Sequence, residues 1–354
     1  MNTILKFKVD YLQYLDKNSQ PTQAFPDFID DPLLLQLYKQ MTLTRALDNK
    51  AINLQRTGKM GTYPASTGQE ATNIGIGYAM QKNDVLCPYY RDQGVSIQRN
   101  IKMSEILTYW GGDERGSHYA NNHEDLPVCV PIATQCLHAA GVAFAFKYRK
   151  EARVAVTTLG EGGTSKGDFY EAMNVAGAWK LPCVFVSINN QWAISVPREK
   201  QTATQSIAQK AIAAGFEGIQ IDGNDIIAVV TAMRTALDKA RRGDGPTLIE
   251  AVTYRLCDHT TADDASRYRS QEELHAAWQE EPIRRLGKYL EEKGLWSQTH
   301  EAELQAECNQ LVEKTVNVYM KQQPQQATDM IDYLFEVVPE ALLEQRDYIE
   351  DYTS

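Results

Sequence analysis

Residues 153–193 read RVAVTTLGEGGTSKGDFYEAMNVAGAWKLPCVFVSINNQWA. Apolar and β-branched residues dominate 153–159, and the run breaks at Gly160-Glu161-Gly162-Gly163. A helical stretch follows and stops at Leu181-Pro182, since the residue before a proline is pushed out of the helical region. A second β-rich run, 183–188, ends at Asn189-Asn190. Strand, glycine turn, helix and strand make one parallel βαβ unit. Ligands of such sheets bind outside the carboxyl ends of the strands. The turn and the asparagine pair both fall there, so they are expected to face each other across one crevice.

The turn carries a single carboxylate, Glu161, among glycines that let backbone approach a ligand closely. A helix start just beyond it offers free N–H groups to an anion. Carboxylate, amide oxygen and carbonyl are hard ligands, suited to Mg²⁺ bridged to phosphate. The turn is not a P-loop, because no Gly-Lys-Ser/Thr follows. Ser165 stands where a G-x-G-x-x-G fingerprint needs its last glycine, which counts against a nicotinamide-dependent dehydrogenase.

The whole chain has 354 residues and a formal net charge of −10, enough for one large or two small domains. The acidic balance argues against a general nucleic-acid binder, which needs a basic face. No apolar run approaches a membrane span, and the N-terminus lacks signal-peptide architecture. Cys87, Cys129, Cys136, Cys183, Cys257 and Cys308 are scattered with no C-x-x-C pair, so a cytoplasmic protein with reduced thiols is expected.

Around the central unit the chain alternates helix and strand. Residues 1–30 are a polar arm that can wrap a partner or stay loose, and helical spacing begins at Asp31. A strand over 85–90 ends at Tyr90-Arg91, where an arginine's planar fork suits a diphosphate. A helix covers 133–150, and its entrance is Val130-Pro131-Ile132-Ala133-Thr134-Gln135. Residues 206–214 are helical, 218–221 and 247–253 are strands, and Asp222-Gly223-Asn224-Asp225 caps the helix after the first of these. A polar loop, 254–264, follows the last strand and carries His259. From 271 on the chain is helical and charged, with Trp278, Leu286, Leu290, Leu304 and Leu311 as apolar anchors. The pattern is α/β, a mainly parallel doubly wound sheet with helices on both faces and a helical C-terminal extension. The expected division is an arm (1–30), one domain (31–325) and a helical tail (326–354).

Taken together, the turn and the asparagine pair resemble the thiamin diphosphate motif, Gly-Asp-Gly followed about thirty residues later by Asn-Asn, with Glu161 in place of the Asp. The segments Gly162–Ala172, Asn189–Ser195 and Arg267-Tyr268-Arg269-Ser270 resemble the bacterial E1 α subunits of thiamin-diphosphate-dependent 2-oxo acid dehydrogenases. The pyruvate-specific members are the main expectation, with branched-chain 2-oxo acid and acetoin enzymes as alternatives. Branched-chain members share the Glu at position 161. The resemblance implies thiamin diphosphate and Mg²⁺ as cofactors. Tyr90, Arg91 and His259 would hold its phosphates; Val130 and Ile132 would meet its aminopyrimidine; Gly160, Glu161, Gly162 and Gly163 would form its turn. Glu161, Asn190 and the Trp192 carbonyl would ligate the metal, and His259 would also serve catalysis. Pro131, Thr134 and Gln135 fit the pattern of a K⁺ site in branched-chain relatives, but Cys129 replaces a serine ligand. His118 and His123 receive no role. A chain with one cofactor-binding half implies a separate β subunit in an α₂β₂ heterotetramer. It also implies acyl transfer to a lipoyl domain of E2, with no nucleic acid or membrane partner.

Overall fold

The computed structural model describes residues 2–4 and 6–353. The strands are β1 (Asp10–Leu12), β2 (Val85–Cys87), β3 (Ala155–Gly160), β4 (Cys183–Asn189), β5 (Trp192–Ala193), β6 (Val196–Pro197), β7 (Glu217–Asp222) and β8 (Thr247–Val252). β5 and β6 form a small antiparallel hairpin. The other six make one sheet in the order β1-β7-β8-β4-β3-β2, parallel throughout.

β3 and β4 pair from Ala155 against Cys183 to Gly160 against Ile188. Successive side chains on a strand point to opposite faces, so each run feeds two cores. Val156, Val184, Val186 and Ile188 pack with Ile76, Val229 and Met233 of the helices Glu70–Ala79 and Ile226–Arg241. Ala155, Leu159, Cys183 and Phe185 pack with Ala139, Ala143, Phe169 and Met173 of the helices Thr134–Arg149 and Gly167–Ala178. Strands covered on both faces lose the polar alternation of a half-exposed sheet, which is why these runs read as continuously apolar. The fold is the doubly wound α/β arrangement expected, and no helix among the described residues is long and apolar enough to cross a membrane.

Several boundaries differ from expectation for local reasons. β2 stops at Cys87 because Pro88 has no N–H to continue the ladder. The turn after β3 is a 3₁₀ segment, Glu161–Ser165, before the helix Gly167–Ala178 starts. Residues 206–214 split into a 3₁₀ turn, Ile207–Gln209, and one helical turn, Lys210–Ala213.

The larger correction concerns the arm. Its residues 10–12 extend the sheet as edge strand β1 on β7, and Tyr14 and Leu15 are buried. They join the core formed by Leu34, Leu37 and Met41 of helix Asp31–Arg56 with Leu286, Leu290 and Leu304 of the later helices. Of the expected C-terminal anchors, Leu311 is exposed, and Trp278 instead takes the Arg45 guanidinium over its ring at 5.4 Å. The arm and the tail 326–354 also reach Met1, Leu5 and Ser354, which lie outside the described residues.

Asp225 ties the arm to the sheet. It caps helix Ile226–Arg241 by accepting from Ile227 N–H at 3.0 Å, and accepts from Tyr14 N–H at 2.6 Å and Leu15 N–H at 2.9 Å. Asp225→Ala strands these buried donors and is expected to cost about 1–3 kcal/mol in urea unfolding, with faster proteolysis of the arm. A loss under about 0.5 kcal/mol would contradict the anchoring role.

Candidate active site

A cavity of about 380 Å³ opens at the carboxyl ends of β8, β4, β3 and β2, four strands adjacent in the sheet. It is lined by Tyr89, Tyr90 and Arg91 after β2, and by Gly160, Glu161, Gly162 and Gly163 after β3. Asn190 and Trp192 come from the end of β4, and His259 from the loop after β8. Ile132 closes one wall. The structure therefore brings the expected site residues together, with Val130 as the exception: it is exposed and outside the lining. His118 and His123, with ring centroids 5.7 Å apart, also lie outside it.

Glu161 is only 3% exposed. Its Oε2 accepts from Asn190 N–H at 3.2 Å and its Oε1 from Gln201 Nε2 at 3.4 Å, both long and neutral. Burial raises its carboxyl above the ordinary value, and the nearby amide donors and Arg255 pull only partly the other way. No group of three or more His, Cys, Asp or Glu comes together here or elsewhere among the described residues. A cation at Glu161 would draw on one carboxylate, on amide and carbonyl oxygens, and on a ligand's own anionic oxygens, a hard set that fits Mg²⁺. The Trp192 carbonyl already accepts from Arg255 Nη1 at 3.0 Å, so its remaining lone pair is the one open to a metal. Gly162 earns its place by close approach, since a Cβ there would sit 2.5 Å from Ala193 Cβ.

Across the cavity the charge is reversed. Arg91 is 1% exposed, and its Nη1 donates to the Ala65 carbonyl at 2.6 Å and its Nη2 to the His259 carbonyl at 2.9 Å. Arg255, fully buried, donates from Nη2 to the Ile194 carbonyl at 2.8 Å and to the Tyr268 hydroxyl at 2.7 Å. Its Nε has no partner. Burial, and after it the Arg91 charge, lower Arg255 from its ordinary value. Every hydrogen-bond partner named for these guanidiniums is neutral, so the pair forms a cationic corner of the cavity.

His259 stands between them, its Nδ1 3.3 Å from Arg91 Nη2 and 3.4 Å from Arg255 Nη1. Burial first, then Arg91 and Arg255, push its pKa down to about 3. The imidazole is therefore neutral at physiological pH. Two donors face Nδ1, so Nδ1 accepts and Nε2 carries the proton as the donor. Asp263 accepts from the His259 backbone N–H at 2.8 Å, not from the ring.

Sequence reasoning missed Arg255, Gln201 and Tyr89. Arg255 belongs to no motif, and only the fold carries it behind His259. Gln135 entered as part of the K⁺ pattern. Its Nε2 donates to the Thr158 carbonyl at 2.8 Å, and its buried Oε1 has no partner. The Pro131 carbonyl of that pattern is engaged by the Cys129 thiol at 3.3 Å.

Fold and site together define a doubly wound α/β enzyme domain with a cavity at its strand ends, cationic on one wall and acidic on the other. The profile of the family described as "Dehydrogenase E1 component" matches residues 38–328. The pyruvate dehydrogenase E1 component subunit alpha of Staphylococcus aureus (strain Mu50) is 39% identical over 351 residues, covering 98% of this chain and 94% of that protein. The 3-methyl-2-oxobutanoate dehydrogenase subunit alpha of Mycobacterium tuberculosis (strain CDC 1551) is 44% identical over 305 residues, covering 86% and 83%. The chain belongs to the dehydrogenase E1 component family, on its α-subunit side, a family that depends on thiamin diphosphate.

The His259 shift has a definite sign. Its folded pKa lies below the unfolded value of 6.5, so the unfolded chain binds the extra proton as pH falls. This contribution to stability is present above about pH 6.5 and is lost toward pH 3. His259→Asn is expected to flatten the fall in unfolding free energy between about pH 6.5 and 4, read by urea titration of the cofactor-free chain. A variant whose pH slope parallels wild type would show that the ring is not held neutral.

Proposed function

We propose that this chain is the α subunit of a pyruvate dehydrogenase E1, acting in the cytoplasm with a β subunit in an α₂β₂ assembly and passing its acyl product to a lipoyl group on E2. The observation that carries the reading is the split of charge across one cavity: two buried guanidiniums with neutral partners, Arg91 and Arg255, on one side, and a buried carboxylate, Glu161, on the other. A diphosphate and Mg²⁺ satisfy both sides at once.

In this reading Arg91, Tyr90 and His259 bind the diphosphate, with Arg255 behind them. The neutral His259 contributes an Nε2–H donor. Glu161, Asn190 and the Trp192 carbonyl hold Mg²⁺, which keeps Glu161 from facing a diphosphate of like sign. At about 4 Å such a repulsion amounts to roughly 4 kcal/mol at an effective dielectric of ~20. Ile132 offers an apolar surface to the organic part of the cofactor. The cofactor, when bound, supplies the electron sink for decarboxylation; the chain supplies position, electrostatics and a water-poor wall. The cysteines, all free, suit a reducing compartment.

A branched-chain 2-oxo acid as substrate is the second reading, favoured by Glu161 and by the mycobacterial relative. Steady-state assay of the α/β pair with pyruvate against 3-methyl-2-oxobutanoate decides between them; a higher kcat/KM for the branched acid would overturn the pyruvate reading. Calorimetric titration tests the site itself. Thiamin diphosphate with Mg²⁺ is expected to bind and NAD to leave no signal. Glu161→Ala is expected to weaken Mg²⁺-dependent binding by more than about a hundredfold while the fold persists, exceeding what outer-shell changes cost. Arg91→Met removes a buried charge that lacks a carboxylate partner. It is expected to leave cofactor-free stability equal or higher, while cofactor affinity falls about ten- to a hundredfold.

A further inference from the structure

A buried ammonium stands behind the Glu161–Ser165 turn, and the chemistry above makes no use of it. Lys210 is 5% exposed and opens the one-turn helix Lys210–Ala213. Its Nζ donates to the Thr164 carbonyl at 2.8 Å and to Thr164 Oγ1 at 3.0 Å, and lies 5.3 Å over the Tyr170 ring. Taking a charge out of water is costly, and an apolar side chain of similar length would fill the space without that cost. The donors of the ammonium are therefore the reason to look for a role.

Thr164 relays them. Its hydroxyl donates in turn to the Glu161 carbonyl at 2.6 Å. Lys210, Thr164 and Glu161 thus form a chain of hydrogen bonds in a buried setting, where successive bonds polarise one another. Glu250 of β8 braces the segment that leads into Lys210. That carboxylate accepts from Ala208 N–H at 3.1 Å and from Ser206 Oγ, and its other oxygen accepts from Asn189 Nδ2 at 2.8 Å. One buttress, from Glu250 through residues 206–210 to Thr164, therefore fixes both the turn that presents Glu161 and the asparagine that precedes Asn190.

We infer that Lys210 is a positioning residue for the metal site: through Thr164 it sets the backbone of Glu161 and so aims that carboxylate, without touching the cofactor. The inference rests on the reading of the site proposed above. Outer-shell partners of metal ligands typically contribute 10–100-fold to metal affinity. In the chain assembled with its β partner, Mg²⁺ is titrated at saturating thiamin diphosphate and cofactor uptake is read by calorimetry, with unfolding midpoints measured in parallel. Lys210→Met and Thr164→Val are each expected to raise the apparent Mg²⁺ dissociation constant about 10–100-fold. Thr164→Ser, which keeps the hydroxyl relay, is expected to stay within about twofold of wild type. If Lys210 serves packing alone, Lys210→Met and Thr164→Val lower the unfolding midpoint but leave the Mg²⁺ constant within about twofold, and the inference is overturned. Should Lys210→Met not fold, the Thr164→Val and Thr164→Ser pair still decides. Glu161→Ala separates the layers: wild-type Mg²⁺ dependence there sinks the reading of the site, whereas its loss beside an unaffected Thr164→Val sinks only the positioning role.

Discussion

Two guanidiniums share one buried corner, and much of the site is arranged around keeping them there. Like charges at close range raise each other's energy, and neither Arg91 nor Arg255 hydrogen-bonds a carboxylate; Asp263 offsets the Arg255 charge only without direct contact. The fold answers with backbone carbonyls: Ala65 and His259 for Arg91, Trp192 and Ile194 for Arg255. Those carbonyls come from segments remote in sequence, so holding the charges also interlocks the segments. Residues 63–67 are stapled by Asp48, which accepts from the Tyr63 hydroxyl at 2.7 Å and from Ser66 N–H at 2.7 Å. The loop after β8 docks on them through Leu256 N–H to the Thr67 carbonyl and Thr261 N–H to the Tyr63 carbonyl.

The nearest carboxylate in sequence does not spoil this excess. Asp92 follows Arg91, yet it turns toward Tyr89 N–H and Thr158 Oγ1, with Oδ1 left unpartnered. Burial pushes its pKa up to about 8, so at neutral pH it is largely an uncharged acid and cancels nothing. Glu161, on the opposite wall, is also desolvated. A cavity whose opposite charges sit on separate walls with no direct ion pair between them is less stable by itself than a neutralised one. It is preorganised for a ligand that carries both signs.

This division explains what could be read from the chain. Glu161, Asn190, Arg91 and His259 each end a strand or follow one, and the parallel sheet aims all strand ends the same way, so their convergence was legible. Arg255 was not. It follows β8 more closely than His259 does, but its part depends on Arg91, Trp192 and Ile194, distant residues that meet it only after folding. Lys210 was equally hidden: a helix was expected over 206–214, but the Thr164 atoms that its ammonium meets lie 46 residues away and come together with it only in the fold. The arm misled for a compositional reason: β1 is an edge strand of three residues, DYL, too short for alternation to register. Val130 failed because the resemblance carried over a segment, while exposure is set side chain by side chain.

Strain at the cavity points the same way as charge. Among the described non-glycine residues with positive φ, Asn100, Lys150 and Lys180 close helices and Ser19 lies in a turn of the arm. Ala133 (φ 64), Gln191 (φ 73) and Ile194 (φ 55) do not share that excuse: each lines or flanks the cavity. Ile194 is the sharpest case, a β-branched residue for which the left-handed region is a true outlier. Its carbonyl is held by Arg255 and its side chain is 56% exposed at the cavity rim. Such strain persists only where the surroundings over-determine it, at a cost of order 1–3 kcal/mol. The Arg255 guanidinium is thus also the clamp on the hairpin that carries the Trp192 carbonyl. Charge burial and backbone strain are two costs of one arrangement, and both are met at the place where the cofactor would bind.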